Sequence, residues 1–334
     1  MKSHPFRIVA IPAIAILLLA GCSAAPSPSQ IGSPPPASSP DGSAAATPEI
    51  ADLVVSILPI IDLAPLHIAI AQGLFEAEGL RVSTEVLAGG AAAIPALVAG
   101  DLQVTFGAWP SFLKANAGGI ELRAVADGDA AAPGFTQFLA LPGSDLEGNP
   151  AGMAGKKIAI NTLGNLGELA VRWALTEAGV DPDSVQLVEI PFPDMGAALE
   201  SGNVDVIWAV EPGVTVAKSV LGAVVVVDSY IGPMAGFPVA GYQVTRQFAE
   251  RYPNTVAAFR RAITAAAAIA RASPQLVTDL APSFTSLTPE LAAQISLPVY
   301  GGTIEAATLH RVYDLLVSFG IMAEGLDVDA LIAP

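Results

Sequence analysis

The sequence predicts an α/β fold of two similar lobes joined by two crossovers, and three observations carry that expectation. A strand-and-turn segment occurs twice: residues 96–110 read ALVAGDLQVTFGAWP and residues 198–212 read ALESGNVDVIWAVEP. Aligned without gaps, the copies share Ala96/Ala198, Leu97/Leu199, Gly100/Gly202, Val104/Val206 and Pro110/Pro212. In each, a helix-like run ends at Gly, a short strand follows and Pro closes it, as expected of a helix terminator and a strand breaker. Second, each copy completes a strand–helix–strand–helix–strand order, which predicts mainly parallel sheets with helices on both faces. Third, 334 residues suffice for two sizeable cores. The position before the closing Pro holds Trp109 in one copy and Glu211 in the other, both at strand ends, where open α/β sheets bind ligands.

The elements of the first lobe follow in order. DLVVSILP (52–59) is rich in Val and Ile and reads as a buried strand. Asp62 suits a helix N-cap, and Leu66, Ile70 and Leu74 give the next helix one apolar face. Gly79 ends that helix, RVSTEVL is the next strand, and Gly89-Gly90 turns into an element from Ala91 to Ala99 before the first repeat copy. In the second lobe KKIAI (156–160) is a strand, Asn161 to Gly164 a turn, and Asn165 opens a helix containing Leu169, Trp173 and Leu175. Gly179 ends it, VQLVEI is a strand, and a short helix from Asp194 leads into the second copy. AVVVV (223–227) is one more strand. From about Gln247 the pattern is almost wholly helical, with no strand of its own, and is expected to pack back on lobe one. The crossovers are expected near Leu141–Gly143 and Phe237–Tyr242, where Gly and Pro occur.

The N-terminus is different in kind. Lys2 and Arg7 precede an apolar run, Ile8 to Ala20, too short to span a bilayer, which is the pattern of a secretory signal peptide over residues 1–21. It ends Leu19-Ala20-Gly21-Cys22, resembling the bacterial lipobox, in which the Cys22 thiol accepts lipid. Cys22 is the only cysteine, so the mature chain has neither a disulfide nor a thiol nucleophile. Residues 22–48 read as a disordered tether: 15 of the 25 residues from Ser23 to Thr47 are Pro, Ser or Gly. As a coil it would reach roughly 25–30 Å.

The formal charge of −16 becomes −18 once Lys2 and Arg7 are removed with the signal peptide. So acidic a surface argues against nucleic-acid partners. The chain has no HExxH, GxSxG or GxxxxGK[ST] motif, so no catalytic residue, metal or cofactor is expected.

From Asp52 to about residue 320 the chain resembles the extracytoplasmic solute-binding proteins of ABC importers, in the SsuA/THI5-like (NMT1-like) family. The carriers are Ala64 with the run Gly73-Leu74-Phe75-Glu76-Ala77-Glu78-Gly79-Leu80-Arg81-Val82, Gly89-Gly90, and Gly100-Asp101-Leu102-Gln103-Val104. Gly155-Lys156-Lys157-Ile158-Ala159 and Gly202-Asn203-Val204-Asp205-Val206 with Glu211-Pro212 complete them. The resemblance implies a type-2 periplasmic-binding fold, here residues 49–334, with lobe one at about 50–142 and 241–334 and lobe two at about 143–240. It implies a ligand in the cleft, closure on binding, no catalysis, and permease and ATPase subunits as partners. With lipid on Cys22, the protein would be anchored to the membrane outside the cytoplasm.

The strand-end rule selects Ile60 to Leu63, Gly89 to Ala91 and Gly107 to Trp109 in lobe one, and Thr162 to Leu166, Phe192 to Asp194 and Val210 to Glu211 in lobe two. Of these, Ile61, Asp62, Leu63, Gly89, Gly90, Trp109, Thr162, Asn165, Leu166 and Glu211 are the expected ligand contacts. Trp109 would offer an apolar or cation–π wall, and Glu211 would accept hydrogen bonds from an amine or aminopyrimidine. The turn Leu163-Gly164-Asn165 would offer backbone N–H groups to an oxygen. Asp62 is equally a helix cap, and Glu211 equally a solvated hinge carboxylate. Trp173, Trp208, His67 and His310 read as packing or surface residues. None of the 13 basic residues after Cys22 falls on a predicted strand-end loop, though Lys114 is near one, which disfavours an anionic solute and suits a small neutral or amine-bearing one. A ligand-binding sensor of the same fold and a two-lobed enzyme acting on a pyrimidine-like compound are the alternatives.

Overall fold

The computed structural model describes residues 46–334, so the expected signal peptide, Cys22 and the tether up to residue 45 lie outside the described residues. Among the described residues eleven strands form two sheets. Lobe one contains β1 (Asp52–Ile57), β2 (Arg81–Val86), β3 (Val104–Ala108) and β4 (Leu122–Ala130). Lobe two contains β5 (Thr136–Ala140), β6 (Lys157–Ile160), β7 (Gln186–Glu189), β8 (Val206–Val210) and β9 (Val224–Asp228). The chain then returns to lobe one through β10 (Pro238–Thr245) and β11 (Val299–Gly302). The orders are β11-β4-β10-β3-β1-β2 and β7-β6-β8-β5-β9.

The sequence repeat is a topological one. β3, from the first copy, pairs parallel with β1, and β8, from the second, pairs parallel with β6. In both copies the glycine after the helix has the left-handed backbone its place demands, Gly100 at φ 87° and Gly202 at φ 72°. Pro110 and Pro212 stop their strands and stand at the start of the helices Trp109–Ala117 and Gly213–Leu221.

The sheets are mixed, where mainly parallel sheets were expected. β10 lies antiparallel between β3 and β4, and β5 lies antiparallel between β8 and β9. Each lobe thus joins a parallel trio to an antiparallel strand arriving from the other lobe, with β4 and β11 beyond it in lobe one and β9 beyond it in lobe two. For the same reason the crossings occur at 131–135 and 229–237, and Leu141–Gly143 comes after β5, inside lobe two. The tail also contributes a strand: β11 pairs with β4 at the sheet edge, so the wholly helical reading does not hold. β4 escaped notice because LRAVADGDA carries Arg123, Asp127 and Asp129 in nine residues, yet Asp129 is fully buried.

The tail helix Pro253–Ala272 lies along lobe one, with Phe259 stacked on Phe75 and edge-on to Tyr242. Its aliphatic face is largely alanine, which lets the 20-residue helix approach the sheet closely. Among the described residues no helix is long and apolar enough to cross a membrane.

Candidate functional site

Between the lobes lies a cavity of about 50 Å³. Lobe one walls it with Leu58, Ile60, Asp62, Gly89, Gly90, Phe106, Gly107 and Ala108, and with Val239 and Ala240 of the returning strand; lobe two supplies Asn161, Asn165, Leu166, Phe192, Trp208 and Val210. Most of these residues stand at the ends of β1, β3, β6 and β8 or just beyond, the positions the strand-end rule picks out.

Glycine shapes the lobe-one wall. A Cβ on Gly90 would meet the Gly107 backbone, so the helix Gly90–Ala99 touches β3 directly at the cavity rim. Gln243 on β10 donates to the Gly107 carbonyl at 2.8 Å and holds that rim. Opposite, Asn161 faces Gly89 across the cleft, and Asn165 is 5% exposed with its Oδ1 unpartnered. Asn165 occupies the N-cap of the helix Leu166–Glu177 without making the usual side-chain cap bond, so its amide is left for the cavity. Trp208, expected in the core, is 2% exposed and donates to Ser229 at 3.1 Å while also flooring the cavity.

The expected residues divide. Asp62, Gly89, Gly90, Asn165 and Leu166 line the cavity; Ile61, Leu63, Trp109, Thr162 and Glu211 do not. Ile61 and Leu63 are fully buried in the 3-10 turn beside Asp62. Because that turn precedes the helix Ala64–Ala71, Leu63 takes its N-cap position and Asp62 is no helix cap. Trp109 is fully buried with its ring on Gly241, edge-on to Phe112. Thr162 lies half-buried at the lobe-two rim.

Glu211 is neither solvated nor in the cavity. It is 1% exposed, and its carboxylate accepts from the Thr215 N–H at 3.0 Å, the Thr215 hydroxyl at 2.8 Å and the Ser296 N–H at 3.2 Å. Burial raises its pKa, and these donors offset part of that rise. The turn at 163–165 is also committed elsewhere: the Leu163 N–H bonds the Glu189 carboxylate at 2.7 Å and the Gly164 N–H bonds Glu168 at 2.8 Å. Two of the three donors expected to hold an oxygen are therefore occupied by the chain's own acids.

The strongest electrostatic feature was not anticipated. Asp129 is fully buried with both carboxyl oxygens unpartnered, and Asp62, 2% exposed, has Oδ2 unpartnered. Burial pushes Asp62 up to about 7 and raises Asp129 well above the carboxylate range, with the charge of Asp62 adding to the shift on Asp129. Asp127 is pushed up to about 7 by burial, against a lowering by the Trp109 indole. A bulge at Gly128 separates the two β4 acids. Asp129 pairs with Ala240 and Asp127 with Gly241, so they point to opposite faces of the sheet. The sequence signal was available: two acids flanking a glycine directly after the apolar run Ala124-Val125-Ala126.

His67 and His310 serve packing or surface roles. His67 stacks on Phe284 with centroids 4.1 Å apart, and burial lowers it to about 4. His310 meets Asp329 at 3.0 Å in an exposed pair. Among the described residues no group of three or more His, Cys, Asp or Glu is placed to hold a metal ion. A second groove, of about 350 Å³, lies between the helices Phe192–Glu200 and Gly213–Leu221 and reaches Pro59 and Ser286; its lining is mostly apolar.

The model of the NMT1-like family matches residues 46–281. The periplasmic aliphatic sulphonate binding protein SsuA of Escherichia coli has a similar structure, with a TM-score of 0.69 at 19% identity, covering 85% of this chain and 98% of its own. The alkanesulfonate-binding protein SsuA of Xanthomonas axonopodis pv. citri, bound to MOPS, gives 0.73 at 16% identity with the same coverages. The periplasmic nitrate-binding protein NrtA of Synechocystis PCC 6803 gives 0.72 at 13% identity, covering 85% and 86%. These likenesses show that the fold is the periplasmic-binding-protein fold. No curated protein matches the sequence.

Proposed function

The chain belongs to the NMT1-like family, and on that premise we propose that it is the extracytoplasmic substrate-binding subunit of an ABC importer. It would capture a small organic solute between its lobes and deliver it to a permease and ATPase, without catalysing a reaction. The observation that carries this reading is the shared wall: both lobes put strand-end residues into one cavity. A solute touching both walls binds the closed arrangement better than an open one, so binding and closure are one equilibrium. The lipobox-like end of the leader supports anchoring through lipid on Cys22, with the Pro/Ser/Ala tether spacing the domain from the membrane.

The cavity reading assigns ligand contact to Asp62, Gly89, Gly90, Asn165 and Leu166, joined by Asn161, Phe106 and Trp208. Phe106, Phe192 and Trp208 supply apolar and π surface, and the two asparagines supply donors and acceptors. The test is thermal unfolding of the full chain against sulfonates, nitrate, amino acids, polyamines and aminopyrimidines. A true ligand at 100 times its Kd adds roughly 2.7 kcal/mol of stability. Small-angle scattering with that ligand should then show a more compact particle. A stabilising ligand that leaves the particle's dimensions unchanged, or no stabilising compound at all, would count against lobe closure as the mechanism.

A further inference from the structure

The buried acids beside the cavity bear on the kind of solute it takes. Asp62 lines the cavity from the 3-10 turn after β1. Asp129 stands on β4 opposite Ala240, another lining residue. Directly paired residues share a face of the sheet, so Asp129 lies on the same side as Ala240, its neighbour-but-one Tyr242, and Tyr300 of β11. Tyr230, buried on the second crossover, lies close enough for the charges of Asp129 and Asp62 to add to the rise that burial imposes on its hydroxyl.

Three tyrosines thus ring two carboxyls. Tyr300 donates to the Ile61 carbonyl at 3.1 Å, whereas the Tyr230 and Tyr242 hydroxyls have no partner among the described residues, although both side chains are at most 2% exposed. The charges acting on this cluster are those of Asp62 and Asp129 themselves, with Asp127 acting on Asp129 and Asp228 on Tyr230. All are acidic, and none is a Lys or Arg. Two facing carboxyls without a cation are unstable as a doubly ionised pair, so an uncomplexed pair must keep a proton. Across the cleft, the N–H groups that would have received an anion are filled by Glu168 and Glu189.

We propose that the solute bound in this cleft carries a cationic nitrogen group, an organic ammonium, amidinium or guanidinium, and that Asp62 and Asp129 with the hydroxyls of Tyr230 and Tyr242 form the subsite that recognises it. This rests on the cleft being a solute site, as argued above. Such a group has several N–H donors to meet the free carboxyl and hydroxyl oxygens together, and its charge compensates the pair in a site from which water is largely excluded. Binding then displaces the proton held by the pair, so affinity falls as pH drops.

The test is titration calorimetry on the full chain with methylguanidinium, acetamidinium, ethylammonium and 4-aminopyridinium, against acetamide, ethanesulfonate and nitrate. At least one cation is expected to bind at pH 8, at least tenfold more weakly at pH 5.5, and with proton release visible as a dependence on buffer ionisation heat. Asp129→Asn and Asp62→Asn should each weaken that cation by about 30-fold, the scale of one charge-assisted hydrogen bond. Unaltered or raised thermal midpoints in these variants would show that binding, not folding, was lost. Tight binding of ethanesulfonate, nitrate or acetamide that Asp129→Asn leaves unchanged would overturn the cationic subsite while sparing the solute-binding function. Failure of all seven compounds to bind the wild-type chain would overturn the subsite, and failure of the wider panel above would remove the function with it.

Discussion

The carboxylate of Glu211 in lobe two accepts a hydrogen bond from the backbone N–H of Ser296 in lobe one, at 3.2 Å, while the Glu211 carbonyl accepts from the Ile61 N–H at 3.3 Å. One residue at the end of β8 thereby ties its lobe to two separate segments of the other. Its place in the repeat is that of Trp109, but where Trp109 fills a core, Glu211 fastens an interface.

Glu211→Ala should therefore weaken the contact between the lobes. It leaves the Thr215 and Ser296 N–H groups without their acceptor, at a cost of about 1–3 kcal/mol for a buried donor. Denaturant unfolding should show the loss, and small-angle scattering of the unliganded variant should show a larger radius of gyration. A variant as stable and compact as the wild type would mean that water replaces the latch at no cost.

Gly241 has no side chain because the Trp109 ring lies where one would go, and the Ala126 carbonyl sits 2.6 Å from the same point. Gly241→Ala should destabilise the protein by about 1–3 kcal/mol or more, as overpacking does. Trp109→Leu in the same chain should recover part of that loss, so the double mutant should be more stable than the sum of the single changes predicts. Strict additivity in denaturant unfolding would show that the backbone carbonyl, not the indole, sets the cost.

Asn165→Ala separates capping from binding. Replacing an N-cap asparagine ordinarily costs about 0.5–2 kcal/mol, but Asn165 makes no cap bond here. Its loss should change stability by less than about 0.5 kcal/mol and still weaken the cleft's ligand by about tenfold, the scale of one hydrogen bond. Calorimetry and thermal unfolding on the same preparation would read both quantities.

The buried acids should make the unliganded protein less stable as pH rises. Asp62 and Asp127 sit near 7 when folded and near 3.9 when unfolded, so the folded state holds more protons between those values. Their contribution is full below about pH 4 and lost as pH rises through 7; Asp129 carries the decline higher. His67, lowered to about 4, works the other way and removes stability as pH falls from its unfolded value near 6.5. The difference between wild type and Asp129→Asn isolates the acid: the variant's advantage in thermal midpoint should grow from about pH 5.5 to about pH 8.5. An advantage that stays constant would show that Asp129 does not titrate across that range.

Much of the cleft was legible because strand ends are a local property. Val and Ile runs, Gly after a helix and Pro after a strand locate β1, β3, β6 and β8, and the cavity opens at those ends. Gly89, Gly90, Asn165 and Leu166 follow from that rule. Asn161 was missed by a single position at the end of β6, and Val239 and Ala240 were missed because β10 was not recognised as a strand. Trp109 and Glu211 were chosen as conspicuous side chains at equivalent repeat positions, but sequence spacing does not say whether a strand-end side chain turns toward the cleft or into packing.

The sequence by itself determined the two-lobed α/β plan and the equivalence of the two repeat strands, since periodicity and turn chemistry act over a few residues. Only the tertiary structure decided which acids matter. Asp62, Asp129, Tyr230, Tyr242 and Tyr300 come from a turn, three lobe-one strand or crossover segments and the tail, and their meeting depends on a bulge at Gly128 and an antiparallel strand returning from the other lobe. A carboxyl's charge state is set by what surrounds it, and those surroundings are assembled across 239 residues of chain separation between Ile61 and Tyr300.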